Sequence, residues 1–348
     1  MSAKALVVGG LGVTGSYILH ELKARPGWEL LGLARKNPDN DFGIPFLALD
    51  LLDREACEAK LGELRGITHL FYTARNDQGD LNQQATVNLA MLRNVLEPID
   101  TRQNALQHVH LMHGMKAYGN MLGPFKTPAQ ETDPRLPLPL TYYVQEDYVR
   151  SVQPASAWTW SSLRPGGVAG ITFGRSGNIV SILGFYGSIC RELGWPLWFP
   201  GSAAGFDALR QICDARLLAR AAVWVATEAS CANQSFNVHN GDVFRWRHLW
   251  PDIARFFEIE PAGPVNLRLP DLMKDKNPIW EAITQRHQLV PCTLSDAVSW
   301  DYSQVFHNSW DAFANANRLY QSGFHETVDT RDALLACLQQ LRSGRFIP

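Results

Sequence analysis

The sequence predicts an α/β protein with a doubly wound parallel sheet and a mostly helical C-terminal cap, and three observations lead there. Strand-like and helix-like segments alternate through the first two-thirds of the chain with no long linker. A glycine cluster closes the first strand and opens the first helix. Beyond Gly166 the alternation gives way to helical segments interrupted by Gly194-Trp195-Pro196-Leu197-Trp198-Phe199-Pro200.

The expected strands are Ala5 to Gly9, Glu29 to Ala34, Phe46 to Asp50, His69 to Thr73, Leu106 to Met112 and Trp158 to Leu163. Each is a short apolar run of the kind found in strands buried on both faces. Between them, Gly15 to Ala24, Arg54 to Leu64 and Leu81 to Val95 repeat apolar residues near helical spacing. Later helices are expected at Val180 to Leu193, Ala215 to Ala226, Trp246 to Phe257 and Pro278 to His287. Residues 1–165 read as a dinucleotide-binding core, and residues 166–348 as a substrate-binding cap with some segments returning to the core. Phe236, Val238 and Phe244 read as buried, and Asn240-Gly241-Asp242 as a turn that caps the helix near Trp246.

Composition narrows the function classes. The 348 residues, 46% of them hydrophobic, suffice for a large core. With 32 Lys plus Arg against 34 Asp plus Glu, no charge excess points to nucleic acid or an anionic membrane. The apolar stretch after Met1-Ser2-Ala3-Lys4 is too short for a signal sequence or a bilayer span, so a cytoplasmic enzyme is expected. Cys57, Cys190, Cys213, Cys231, Cys292 and Cys337 show no metal-binding spacing and read as reduced thiols; no metal is expected.

The segment Val7-Val8-Gly9-Gly10-Leu11-Gly12-Val13-Thr14-Gly15 satisfies both Gly-x-Gly-x-x-Gly and Gly-x-x-Gly-x-x-Gly. Glycines there let the backbone turn, let a pyrophosphate approach the main chain, and let the helix pack close to the strand. This is the dinucleotide loop of a Rossmann-type sheet. A tight turn without a ligand is the competing reading, and the strand-loop-helix context weighs against it.

After the second strand come Arg35 and Lys36, where an NAD site would carry an acidic residue for the ribose diol. Two cations there suit a 2'-phosphate, so the expected cofactor is NADPH. Asp50 and Leu51, at the third strand's end, are placed to bracket the adenine. Thr73 ends the fourth strand at the same sheet edge.

The chemistry is expected at the strand ends. Tyr142, in Thr141-Tyr142-Tyr143, is the best acid candidate, but no lysine stands four residues on; Glu146 does. The nearest suitable lysine is Lys116, in His113-Gly114-Met115-Lys116-Ala117-Tyr118. A buried structural tyrosine and a solvated lysine are the commoner fates of such residues, and position sets this pair apart. His113 is expected to bond to backbone, as loop histidines commonly do.

The glycine loop, Ala34-Arg35-Lys36, Phe71-Tyr72, Gly114-x-Lys116-x-Tyr118, Gly123-Pro124-Phe125, Asp133-Pro134-Arg135, Tyr142-Tyr143-x-x-Glu146-Asp147, Trp160-x-x-x-Arg164-Pro165-Gly166 and Phe236 to Trp246 occur in order. Asp271-Leu272-Met273-Lys274 and Trp280-Glu281 continue the series. Together they resemble the progesterone 5β-reductase/iridoid synthase-like family of atypical short-chain dehydrogenases/reductases, over nearly the whole chain. The resemblance implies an extended short-chain dehydrogenase/reductase fold and 1,4-reduction of an enone or enal by NADPH. It implies Tyr142 as the catalytic tyrosine, Lys116 as the displaced lysine that polarises it and touches the nicotinamide ribose, and Val168 beside the nicotinamide carboxamide. It also implies that Arg75 stands where a pocket tryptophan is usual, that Tyr302 takes the place of an aromatic lid residue, and that Phe125 lines the substrate pocket. Arg75 and Thr141 make the expected pocket more polar than a steroid needs. The expected partner is a small molecule, with a homodimer left open. Two other readings compete: a nucleotide-sugar epimerase or dehydratase, which would use Tyr-x-x-x-Lys, and a non-catalytic NADP sensor, against which the retention of Tyr142 and Lys116 speaks.

Overall fold

The computed structural model describes residues 3–38, 43–100, 104–172 and 178–348. Six strands, β1 (Ala3–Val8), β2 (Trp28–Ala34), β3 (Phe46–Ala48), β4 (His69–Tyr72), β5 (His108–Met112) and β6 (Thr159–Pro165), match the six expected ones within a few residues. Two short strands, β7 (Gly167–Ala169) and β8 (Leu197–Phe199), follow, then β9 (Ile212–Asp214), β10 (Gln234–Val238) and β11 (Pro261–Pro264). The main sheet has seven strands in the order β10-β6-β5-β4-β1-β2-β3, and every pairing in it is parallel. Strand order reverses beside β1, where its neighbours are β4 and β2, and an open sheet of this kind binds ligands outside the carboxyl ends at such a point.

Side chains alternate across the sheet as strand geometry requires. Leu6 and Val8 of β1 join Leu70, Tyr72, Val109, Leu111 and Trp160 on one face. That face packs on α2 (Arg54–Gly62), α3 (Leu81–Ile99) and α4 (Thr141–Val152). Ala5 and Val7 join Phe71, Leu163 and Phe236 on the other, under α1 (Val13–Lys23) and a later helix over Ala215–Thr227. A third core fills the C-terminal part, where Phe185, Phe199, Trp250, Trp280 and Phe306 are buried together. The mostly helical character expected beyond Gly166 is what this region has, with helices over Ile179–Glu192, Trp246–Phe256, Asn277–His287 and Thr330–Ser343.

The segment after Phe236 differs from its sequence reading. Gln234–Val238 is a strand and forms the sheet's seventh member beside β6. Asn240 and Asp242 do not cap the helix at Trp246, whose N-cap Arg245 makes no side-chain cap bond. Instead Asn240 accepts from the Asp214 amide at 2.6 Å, and Asp242 accepts from the Thr330 amide at 3.0 Å and its hydroxyl at 2.6 Å. These carboxylate and amide groups tie the last long helix to the sheet edge, a long-range use that turn chemistry alone does not reveal.

Of the six cysteines, Cys292 is partly exposed and the other five are buried, all as free thiols. Among the described residues no helix is long and apolar enough to cross a membrane.

Candidate active site

The glycine loop forms the first half of the site. Gly9 has φ +82°, and a Cβ there would lie 2.7 Å from the Thr73 hydroxyl and 2.9 Å from the Ala74 amide. At Gly15 a Cβ would come within 2.3 Å of the Gly9 carbonyl oxygen. The turn is closed by the Gly12 amide donating to that same carbonyl at 2.9 Å. Thr73 donates its hydroxyl to the Val8 carbonyl at 2.7 Å, joining the ends of β1 and β4. Helix α1 starts at Val13 and Thr14 with Gly12 as N-cap and no side-chain cap, so its first amides face whatever lies over the loop. Main chain fills the space that side chains would take, and this cradle fits a pyrophosphate.

The other expected dinucleotide residues surround that loop. Arg35 and Lys36 are exposed just past β2, and Asp50 is exposed past β3, where its carboxylate accepts from the Leu52 amide at 3.0 Å. Leu51 is buried in the core below. Val168 lies in β7, in register with Cys213, and the chain then crosses back over the loop, with the Ile171 amide donating to the Tyr17 hydroxyl at 3.1 Å.

The second half is a cluster of side chains from distant segments. Tyr142 sits in the first turn of α4, buried, with the His113 ring stacked on it at 4.8 Å. The Gly114 backbone passes so close that a Cβ would lie 3.2 Å from the phenol oxygen. Arg75 donates to that oxygen, and its guanidinium carbon lies 4.9 Å from the ring centroid. Asp77 accepts from Arg75 Nε at 2.5 Å and faces Lys116 Nζ at 3.9 Å. Tyr302, from the turn over Trp300–His307, completes the group: burial, Tyr142 and Asp77 all push its pKa up.

Tyr142, Tyr143 and Tyr118 are not equivalent. Tyr143 donates to the Ala117 carbonyl at 2.5 Å and accepts from the Leu136 amide, and Tyr118 donates to Asn237 at 2.6 Å. Tyr142 accepts from Arg75 and has no acceptor of its own among the described residues, so its O–H remains available to a ligand. Burial raises the Tyr142 pKa, Arg75 lowers it and Asp77 raises it, with a net upward shift that keeps the phenol protonated at neutral pH. For Lys116, burial and Arg75 lower the pKa while Asp77 raises it, and the net shift is downward.

Two sequence expectations change here. The cation bonded to Tyr142 is Arg75, and Lys116 reaches the phenol only through Asp77 and Arg75. The His113 ring is not bonded to backbone; both of its nitrogens are buried without a partner, and burial pushes its pKa down to about 3, so the ring is neutral. Phe125 packs with Met115, Tyr118, Ala129 and Ala314, a cluster separate from the one that holds Tyr142.

Glu146, one helical turn after Tyr142, is buried and meets Arg164 at 3.1 Å, Arg150 at 2.8 Å and Arg135 at 3.2 Å. Burial works to raise its pKa, but Arg164, Arg150 and Arg135 outweigh it and hold the carboxyl below the usual range. A lysine here would stand among three guanidinium groups, which explains physically why the position is acidic. These residues line a polar cavity of about 360 Å³ that contains Tyr118 and Tyr143 but neither Tyr142, Arg75 nor Lys116.

Sequence reasoning missed Asp77 and Asn88. Asn88, fully buried on α3, donates to the Asn76 carbonyl at 2.6 Å and accepts from its amide at 2.8 Å, clamping the loop that carries Arg75 and Asp77. The signal available was an asparagine on the apolar face of a helix, since a buried amide needs partners.

Comparison with known proteins settles the family. Residues 46–348 match the model of the PRISE-like Rossmann-fold domain. The chain belongs to the PRISE-like family. Within it, the chain is 32% identical to (S)-8-oxocitronellyl enol synthase of Catharanthus roseus, over 99% of this chain and 92% of the relative. It is 31% identical to the 3-oxo-Delta(4,5)-steroid 5-beta-reductase of Arabidopsis thaliana, over 99% and 93%. Its relatives make this PRISE-like protein an enzyme of the short-chain dehydrogenase/reductase type, an oxidoreductase. Among solved structures, the Thermus thermophilus UDP-glucose 4-epimerase in complex with NAD superposes with a TM-score of 0.67 at 20% identity, over 97% of this chain and 99% of that one. A putative epimerase from Burkholderia cenocepacia gives 0.71 at 18%, over 98% and 99%. These two likenesses speak for the fold alone.

Proposed function

We propose that this protein reduces the activated C=C bond of α,β-unsaturated carbonyl compounds, with NADPH as the reductant. The observation that carries the reading is the Tyr142 phenol: buried, backed by a cation, and with its proton uncommitted. The names of the relatives agree, one being a reductase of 3-oxo-Delta(4,5)-steroids.

Gly9, Gly12, Val13, Thr14 and Gly15 would hold the pyrophosphate, Arg35 and Lys36 the 2'-phosphate, and Asp50 and Leu51 the adenine. Thr73, Lys116, Tyr142 and Val168 would border the nicotinamide end. When bound, NADPH supplies a hydride to the β-carbon of the substrate. Tyr142 then does its work at the carbonyl oxygen, where charge builds as the enolate forms; a hydrogen bond that strengthens with that charge lowers the barrier. The α-carbon takes its proton from solvent, which completes a saturated carbonyl product. Arg75, Asp77 and Lys116 at the cluster favour small, polar enones or enals over a steroid. Residues 1–165 would form the dinucleotide-binding core and residues 166–348 the substrate-binding cap, with some of its segments returning to the core, in a cytoplasmic enzyme.

An epimerase is disfavoured because Glu146, bound by three arginines, occupies the place of the lysine in Tyr-x-x-x-Lys. Purified protein with NADPH, offered small cyclic and linear enones, enals and sugar nucleotides, tests the proposal. Loss of NADPH absorbance with a saturated carbonyl product is expected. Epimerised sugar, or no turnover of any enone or enal, would overturn it.

A further inference from the structure

Tyr142 has two cations within reach of its surroundings, and only one is on its oxygen. Arg75 donates to the phenol oxygen, while Lys116 faces Asp77 at 3.9 Å and is half-exposed. A tyrosine hydroxyl has one proton to give and two lone pairs to accept with. With Arg75 on a lone pair, the O–H is polarised toward the ligand side and remains free to donate. The reverse arrangement, in which the phenol gave its proton to a neighbour, holds for Tyr143 and Tyr118, which are thereby unavailable.

The guanidinium is also held in place. Asp77 grips its Nε, and Asn88 fixes the intervening Asn76 by two hydrogen bonds from inside α3. Asp77 thus engages the two cations unequally through one carboxylate oxygen, which accepts from Arg75 Nε at 2.5 Å and stands 3.9 Å from Lys116 Nζ. Arg75 stays charged at any pH the protein survives, whereas an ammonium is a mobile point charge.

We propose that Arg75, rather than Lys116, is the positioning residue that polarises Tyr142, that Asp77 and Asn88 hold it there, and that Lys116 is left to serve the nicotinamide ribose. This rests on the reading of Tyr142 as the donor to a substrate carbonyl. The titratable and charged groups facing the phenol are Arg75 and Asp77 from the loop after β4, His113 and Lys116 from the turn after β5, and Tyr302 from the C-terminal part. His113 is neutral, so the contest for the phenol's ionisation lies between Arg75 and Lys116. Each of the two cations, if close, lowers the Tyr142 pKa; removing the dominant one raises it.

The test is a site-specific titration. With 3,5-difluorotyrosine at position 142 of the full-length protein, 19F NMR follows ionisation of that one phenol in a range where the chain stays folded, with no substrate or cofactor present. Arg75→Gln should raise the midpoint by about one pH unit, a tenfold change in the ionisation constant, and Lys116→Met by clearly less. Arg75→Lys, which keeps a charge, should fall between wild type and Arg75→Gln. A larger shift from Lys116→Met, or an unmoved midpoint in both folded Arg75 variants, overturns the inference. The two readings fail separately. If no enone is turned over, the reductase reading falls and the titration still reports on Arg75; if enones are reduced and the Arg75 variants titrate like wild type, only the present inference falls.

Discussion

The two ends of the site are built in different ways. At the dinucleotide end, a run of seven residues from Gly9 to Gly15 makes the cradle from main chain, with no side chain in the turn needed to shape it. At the chemical end, Tyr142, Arg75, Asp77, Lys116, His113 and Tyr302 come from four separate stretches of chain and meet only because β4 and β5 end where α4 begins. Backbone sites are rigid and local, while side-chain clusters are assembled at a distance and can exchange partners. That is how a cation on a phenol can be supplied by one residue or another without altering the fold.

The largest effect should come from the chemical end. Tyr142→Phe is expected to slow enone reduction by roughly ten- to a thousandfold, with dinucleotide affinity nearly unchanged, as for loss of an oxyanion donor. Steady-state kinetics beside a direct binding titration would separate the two. Undiminished turnover would make Tyr142 structural and erase the contrast between the ends.

The opposite signature belongs to the loop. Gly15→Val places carbon where the Gly9 carbonyl oxygen already lies at 2.3 Å from a Cβ, so the turn must open. Overpacking of this kind costs about 1–3 kcal/mol, which should weaken NADPH binding by roughly ten- to a hundredfold, measured by calorimetry. Wild-type affinity in this variant would show that the loop does not hold the pyrophosphate.

A smaller change is expected at the exposed pair beyond β2. Arg35→Ala should raise the Michaelis constant for NADPH by about tenfold and leave that for NADH nearly unaltered, since one charge-assisted contact is lost to solvent-facing phosphate. Equal effects on both cofactors would remove the 2'-phosphate from this position.

A change of pH acts on the whole fold rather than on either end. His69, His110 and His113 are buried, and burial depresses their pKa values to about 4, 3 and 3; burial likewise holds His108 well below its usual value. The unfolded chain binds these protons below about pH 6.5 and the folded chain does not. Stability should therefore be fully present above that value and fall as pH drops from 6.5 toward 4, by up to about 1.4 kcal/mol per pH unit for each histidine. Denaturant unfolding between pH 8 and 5 reads this directly. A flat profile would mean that these rings gain protons in the folded protein.

Much of this was legible in the sequence because it is local. Six strands followed from apolar runs and the loop from glycine spacing; Tyr142 and Lys116, singled out in the sequence, lie in the first turn of α4 and in the turn after β5. What was hidden is long-range. Gln234–Val238 is a strand by virtue of its pairing with β6, and Asn240 and Asp242 act on Asp214 and Thr330 rather than on the nearby helix. Arg75 looked like a pocket side chain because nothing in its neighbourhood in sequence says that it will meet a residue 67 positions away.

The two ends must finally meet on one substrate, and the position of a label shows whether they do. With NADPH carrying deuterium at the transferable C4 position, the protein should convert an enone to a saturated carbonyl compound with deuterium at the β-carbon and a solvent hydrogen at the α-carbon, by mass spectrometry and NMR. Deuterium on the carbonyl carbon of an allylic alcohol, or label retained in the cofactor while a sugar is epimerised, would contradict the account.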